Sequence, residues 1–286
     1  MELPKTLLRE KLLEFLREDI GMGDVTSEAI APVGARVEAQ IITKEPCVVA
    51  GLYEVKKLFE MFNLEIVRSV SDGDEVDVGT VIAEILGDSR AVLTAERTAL
   101  NILVRMSGIA TATRRLLSKV NKQGRTIRIA ATRKTAPGLR YFDKRAVAIG
   151  GGDTHRFRLD DAVLIKDNHI VVAGGVENAL RRVRSTVSFA KKVEIEVKKP
   201  EEALKAAQLG VDIVMLDNMT PEKVRESMEI LKQNGLRDKV LIEVSGGVTE
   251  ENITDYAETG PDIISLGSLT HSVKAVDMSL EIVKVL

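Results

Sequence analysis

The chain has 286 residues, is 44% hydrophobic and 29% charged, and carries a formal net charge of −2. That is enough for one large domain or two modest ones with a buried core, and it leaves no field for gripping nucleic acid. Aromatic residues make up only 3% with no Trp, too few for a base-stacking platform, and the apolar runs fall far short of the ~20 residues that a membrane helix needs. One cysteine, Cys47, excludes an intramolecular disulfide and fits a reducing cytoplasm. The stretch Met1–Asp19 is too studded with charge to read as a signal peptide.

Leu8, Leu12, Phe15 and Leu16 recur at helical spacing and predict an amphipathic helix over 5–19, ended by Gly21-Met22-Gly23-Asp24. Residues 36–94 read as short strands at Val37–Thr43, Val48–Ala50, Glu65–Val70 and Val81–Ile85, with one helix near Glu54–Phe62 and turns at Asp72-Gly73 and Gly87-Asp88. A second helical pattern runs from Ala95 to about Val120, with Leu100, Leu103, Val104 and Ile109 on its apolar face. Strands and helices then alternate from Ile127 to about Gly267. The last segment, Val273–Leu286, places Val276, Leu280 and Val283 at i, i+4 and i+7 and predicts a closing helix. A closed α/β barrel takes eight strands in ~250 residues. About 140 residues of alternation supply six or seven units, so the barrel is expected to be incomplete, with the N-terminal half, its own or a partner's, covering the open side.

The ends of the predicted strands carry the chemistry. Ile127–Ala131 closes on Thr132-Arg133-Lys134, and Ala162–Ile165 on Lys166-Asp167-Asn168. Val193–Val197 holds Glu194 and Glu196, Ile213–Leu216 closes on Asp217-Asn218, Val240–Val244 on Ser245-Gly246-Gly247, and Ile263–Leu266 on Gly267-Ser268. Parallel strands converge at one mouth, so these groups are expected to meet around one pocket. Four cations there, Arg133, Lys134, Arg156 and Lys166, would repel one another unless a polyanion binds. Charge-assisted contacts worth roughly 1.5–3 kcal/mol each would offset that repulsion. Glu196 and Asp217 are candidates for Mg²⁺ or ribose hydroxyls, or for ion pairs with Lys134 or Lys166. The small residues after the last two strands suit either a phosphate cradle or tight turns. Three further signals carry less. Gly150-Gly151-Gly152 lacks the spacing of a nucleotide loop and reads as a turn. His155, His169 and His271 have the number for a metal site, but Arg156 and Lys166 nearby oppose a divalent cation, which favours hydrogen bonding to a ligand. Val70–Ile85 resembles the hammerhead of lipoyl and biotinyl carriers, yet residues 69–96 contain no lysine to modify.

Eight motifs follow in order: Ala95-Glu96-Arg97-Thr98-Ala99-Leu100-Asn101, Ser107-Gly108-Ile109-Ala110-Thr111, Thr132-Arg133-Lys134-Thr135-x-Pro137-Gly138-Leu139-Arg140, Gly150-Gly151-Gly152-x-x-His155-Arg156, Ile165-Lys166-Asp167-Asn168-His169, Leu216-Asp217-Asn218, Ser245-Gly246-Gly247 and Leu269-Thr270-His271-Ser272. Together they resemble the quinolinate phosphoribosyltransferase family over essentially the whole chain. The resemblance implies an α/β fold. An N-terminal α/β sandwich domain over 1–112, joined by a C-terminal helix over 271–286, would stand beside an incomplete barrel of six to seven strands over 113–270. It implies decarboxylating transfer of phosphoribosyl from phosphoribosyl pyrophosphate to quinolinate, with Mg²⁺, in a cytoplasmic homodimer or higher even oligomer. By position, Arg133, Lys134, His155, Arg156 and Lys166, with Thr132, would surround the quinolinate carboxylates and the pyrophosphate, and Arg97 would reach the pocket from the neighbouring subunit. Glu196 and Asp217 would engage the ribose and Mg²⁺, and Ser245, Gly246, Gly247, Gly267 and Ser268 the 5′-phosphate with His271 nearby. Lys134, Lys166, Glu196 and Asp217 would be the catalytic set. Two other readings stand beside this one: a paralogue of the molybdenum-locus type acting on another anionic heterocycle, and a carrier built around the hammerhead.

Overall fold

The computed structural model describes residues 2–121 and 126–286. Helices α1 (Lys5–Ile20) and α2 (Val25–Ile30) precede β1 (Arg36–Thr43), β2 (Cys47–Val48), α3 (Leu52–Glu60), β3 (Glu65–Ser69), β4 (Glu75–Val76) and β5 (Val81–Asp88). The long helix α4 (Ser89–Val120) leads to β6 (Arg128–Ala130), α5 (Arg140–Ile149), β7 (Val163–Ile165), α6 (Asp167–Ala173) and α7 (Val176–Thr186). Then come β8 (Val193–Val197), α8 (Pro200–Gln208), β9 (Ile213–Asp217), α9 (Pro221–Gln233), β10 (Leu241–Ser245), α10 (Ile253–Glu258), β11 (Ile263–Ser265), α11 (Ser268–His271) and β12 (Met278–Val285). The chain divides into two compact units, Met1–Arg114 with Pro137–Gly151 and Ser272–Leu286, and Arg115–Ala136 with Gly152–His271.

The first unit is built on an antiparallel sheet in the order β12-β1-β5-β3. Alternation explains it: Val37, Ala39, Ile41 and Thr43 of β1 are buried while the residues between them are not. Leu8, Leu12 and Leu16 form the buried stripe of α1, as their spacing required. Helix α2 was not expected. Its signal is Asp24, whose side chain accepts from the backbone N–H of Ser27 at 3.0 Å and caps the helix start.

Two expectations need correction. The closing segment is no helix: Met278–Val285 is strand β12, paired antiparallel with β1 from Met278↔Thr43 to Val285↔Val37. An i, i+4, i+7 pattern over so short a run does not separate helix from strand, and Ile282, Val283 and Val285 favour the sheet edge that β1 offers. Residues 137–151, expected within the barrel, group with the first unit instead. Their buried charges are matched there. Asp143 receives Arg105 through two bonds of 2.8 and 3.0 Å, Arg145 Nε lies 2.7 Å from Glu54, and the Tyr141 hydroxyl donates to Glu54 at 2.8 Å.

The second unit holds six parallel strands in the order β6-β11-β10-β9-β8-β7. β6 and β7 follow each other in the chain yet stand at opposite ends of the sheet. The barrel is therefore left open between them, because the segment that would bridge them contains α5 of the first unit. Ala130 and Asp153 form an isolated parallel bridge on the free edge of β6.

Candidate active site

Because side chains alternate along a strand, one face of the six-stranded sheet carries Leu164 and Lys166, Glu194 and Glu196, Met215 and Asp217, Glu243 and Ser245, and Ser265. The register agrees: Glu196 pairs with Met215, Met215 with Glu243, and Ser245 with Asp217 on one side and Ser265 on the other. Over these strand ends opens a pocket of about 490 Å³, lined also by Thr132, Arg133, Lys134, His155, Arg156 and Asn218. Ten of the expected residues are thereby brought to one cavity or its edge: Thr132, Arg133, Lys134, His155, Arg156, Lys166, Glu196, Asp217 and Ser245 line it, and Gly246 abuts Asn218 of its wall. Gly247 follows in the same turn. A cavity of about 510 Å³ in the first unit holds Arg105, a cation already paired with Asp143, so a polyanion finds less to bind there.

The cations are held at short range. Lys166 Nζ lies 2.5 Å from Glu196 Oε2, so of the partners considered for Glu196 the lysine of β7's end is the one it meets. Lys166's backbone N–H donates to His169 Nδ1 at 2.9 Å, which fixes the start of α6. Thr132 Oγ1 accepts from the Lys134 N–H at 3.1 Å, and Thr270 Oγ1 donates to the Lys134 carbonyl at 2.8 Å. Arg133 Nε is buried with no hydrogen-bond partner among the described residues. Burial, then the charge of Arg133, lower the pKa of Arg156, a strain that an anion would relieve. Asp217 Oδ1 accepts from Asn218 Nδ2 at 2.9 Å and forms no ion pair among the described residues. Ser265 Oγ donates to Ser245 Oγ at 2.9 Å. Gly267 sits against His271 and the stem of Lys134, where a Cβ would come within about 3.0 Å of both, and Ser268 starts α11 beside it. Arg97 stands on α4 of the first unit with its side chain 63% exposed.

Sequence reasoning passed over what holds His155. Its Nε2 lies 3.3 Å from Glu194 Oε2 and 3.2 Å from Glu243 Oε2. Burial opposes charge on the ring, but the bonds to the two carboxylates and their charges outweigh it and push the pKa up to about 10. Burial in turn raises that of Glu194. The signal was a glutamate inside an otherwise apolar strand, Val-Glu-Ile in β8 and Ile-Glu-Val in β10. The three histidines do not assemble a site: the cluster that forms is His155 with Glu194 and Glu243. Among the described residues, two of the three non-glycine positions with positive φ, His155 and Asn218, line this pocket, and such strain gathers at functional sites.

The chain also resembles known proteins over its whole length. Residues 24–107 match the family model for the quinolinate phosphoribosyl transferase N-terminal domain, and 109–281 that for its C-terminal domain. The probable nicotinate-nucleotide pyrophosphorylase (carboxylating) of Methanothermobacter thermautotrophicus is 51% identical over 269 residues, covering 94% of this chain and 96% of its own. The human nicotinate-nucleotide pyrophosphorylase (carboxylating) is 35% identical over 280 residues, covering 98% and 93%. Among solved structures, NadC from Streptococcus pyogenes superposes with a TM-score of 0.91 at 36% identity, covering 100% of this chain and 99% of that one. Fold, motif order and both domain matches lead to one conclusion: the chain belongs to the quinolinate phosphoribosyltransferase family.

Proposed function

We propose that this enzyme transfers the phosphoribosyl group of phosphoribosyl pyrophosphate to quinolinate, yielding nicotinate mononucleotide, pyrophosphate and CO₂ in NAD biosynthesis. One observation carries the reading at the level of residues. Arg133, Lys134, His155, Arg156 and Lys166 face one pocket with two mouth carboxylates, and Arg133 keeps a buried donor without an acceptor among the described residues. Such a set suits two polyanions bound together.

The ring nitrogen of quinolinate attacks the anomeric carbon, the bond to pyrophosphate breaks, and pyrophosphate departs with the electron pair. Charge builds on the ribose in that step, so catalysis is positioning and electrostatic stabilisation. Glu196 and Asp217 hold the ribose hydroxyls and place negative charge beside the developing cation. Lys134 and Lys166 steady the leaving group and a carboxylate, Arg133, Arg156 and His155 hold the remaining anionic oxygens, and Thr132 orients Lys134. Ser245, Gly246, Gly247, Gly267 and Ser268, with His271, take the 5′-phosphate. The carboxyl carbon next to the ring nitrogen then leaves as CO₂. Its electron pair stays on the ring carbon, stabilised by the new positive nitrogen, until a proton from solvent fills it.

Asp217 fits Mg²⁺, a hard cation that keeps several waters and binds through one or two carboxylates plus substrate phosphates. Glu196 is taken up by Lys166 and serves the ribose. Bound Mg²⁺ would neutralise pyrophosphate charge. The working assembly is a cytoplasmic homodimer or higher even oligomer, with Arg97 of one subunit completing the pocket of another. Incubation with quinolinate, phosphoribosyl pyrophosphate and Mg²⁺, followed by mass spectrometry, tests the reading. Nicotinate mononucleotide is the expected product, and its absence while another anionic heterocycle is ribosylated would refute it.

A further inference from the structure

We propose that Glu194 and Glu243 are positioning residues that hold the imidazole of His155 at Nε2, so that Nε2–H donates to them and Nδ1–H is left to the pocket as an anion-binding donor. The inference deepens the proposed reaction and relies on it only for the identity of that anion.

The geometry points this way on three counts. Glu194 and Glu243 are 2% and 0% exposed, and each spends one carboxylate oxygen on His155 Nε2, while the other oxygen of each is buried without a donor among the described residues. A neutral ring with its one proton on Nε2 would still donate to the carboxylates but would leave their two buried charges facing each other uncompensated, an arrangement costlier than a charged ring shared by both. Nδ1, in contrast, has no partner among the described residues, and the ring lines the pocket at 15% exposure. The backbone is braced for this pose. His155 holds a left-handed φ of 51°, and its N–H donates to Asp153 Oδ1 at 2.8 Å, the residue bridged to Ala130 of β6.

The charged groups near the ring come from three elements. Glu194 reaches it from β8 and Glu243 from β10. Arg156 follows it in the chain and is influenced by Glu194 and Arg133, while Asp153 touches only its main chain. Among the described residues these two carboxylates are the charged groups paired with the ring, and their effect outweighs burial and raises its pKa. The consequence is an anion-binding proton that stays in place at pH values where an ordinary histidine has lost it. The other chemistry open to one histidine and two carboxylates is a divalent metal, which needs a bare lone pair on Nε2.

Ring ¹⁵N spectra of the wild-type protein at pH 8 decide between them. The chain has three histidines, so His155→Gln identifies the signal by its loss. Two protonated ring nitrogens are expected for His155. A neutral ring, or a ring shift that chelator treatment reverses together with loss of a stoichiometric metal, would overturn the proposal. The Glu194→Gln/Glu243→Gln variant supplies the second measurement. Its quinolinate affinity should fall about tenfold or more at pH 8, in proportion to a lost charge-assisted bond, and recover as the pH is lowered to about 5, where an imidazole that burial alone holds below its ordinary value regains its proton. Equal loss at both pH values would mean a merely structural role and would overturn the proposal. If that variant fails to fold, the wild-type spectrum still decides. A protein that shows the doubly protonated ring but ignores quinolinate would sink the proposed substrate and leave the clamp standing.

Discussion

Alanine at Gly246 and at Gly247 should have different costs, and the difference reads the coupling between the glycine turn and Asp217. Both glycines have positive φ, 84° and 67°. Either substitution therefore carries the strain of a left-handed backbone, about 1–2 kcal/mol. A Cβ at Gly247 meets nothing within 4 Å, but one at Gly246 falls 2.5 Å from Asn218 Oδ1 and 2.7 Å from its Cγ. The Asn218 main chain cannot yield easily, because its own φ is 53° and its N–H donates to the Ser245 carbonyl at 2.9 Å. Its amide must swing away instead and give up the bond to Asp217, at a cost of about 0.5–1.5 kcal/mol. Urea unfolding should thus find Gly246→Ala less stable than Gly247→Ala by about 1 kcal/mol, with the KM for phosphoribosyl pyrophosphate about fivefold higher. Adding Asn218→Ala should remove the stability difference, since every atom in the clash disappears. Equal stability of the two glycine variants, or no recovery in the double variant, would refute the reasoning.

Three further outcomes are expected. Arg97→Ala and Lys166→Ala homodimers should each be nearly inactive, and subunit exchange between them should restore activity through the one pocket that keeps both residues; no recovery in proven heterodimers would exclude action in trans. The pocket should reject nicotinate relative to quinolinate by about a thousandfold in kcat/KM, because nicotinate would cover the pocket cations without a second carboxylate to compensate them, at a cost of several kcal/mol, and Arg133→Ala should shrink that ratio; comparable wild-type values for the two acids would assign the cations to pyrophosphate alone. The folded pKa of His155 is raised from 6.5 to about 10, so its contribution to stability is fully present below pH 6.5 and is lost as pH rises toward 10; unfolding midpoints at pH 7 and 9.5 should therefore drop further for wild type than for His155→Gln.

Much of this was legible in the sequence for physical reasons. The six strands of the second unit could be read because each is a short β-rich run closed by polar or glycine residues, and the strand shortfall pointed to an open barrel. The pocket cations could be read because strand ends converge whatever the details of packing. What stayed hidden depended on partners distant in the chain. Met278–Val285 became a strand only because β1 offered it an edge. The segment around α5 left the barrel because Asp143 and Arg145 found Arg105 and Glu54. Glu243 drew no attention because its chemistry exists only where β8, β10 and the His155 loop meet.

The central claim is decarboxylating transfer, and quinolinate labelled with ¹⁴C in the carboxyl next to the ring nitrogen tests it most directly. The account predicts labelled CO₂ only when phosphoribosyl pyrophosphate is present, one molecule for each pyrophosphate released, with no label left in the nucleotide. Labelled CO₂ without phosphoribosyl pyrophosphate, or a nucleotide that retains the label, would contradict it.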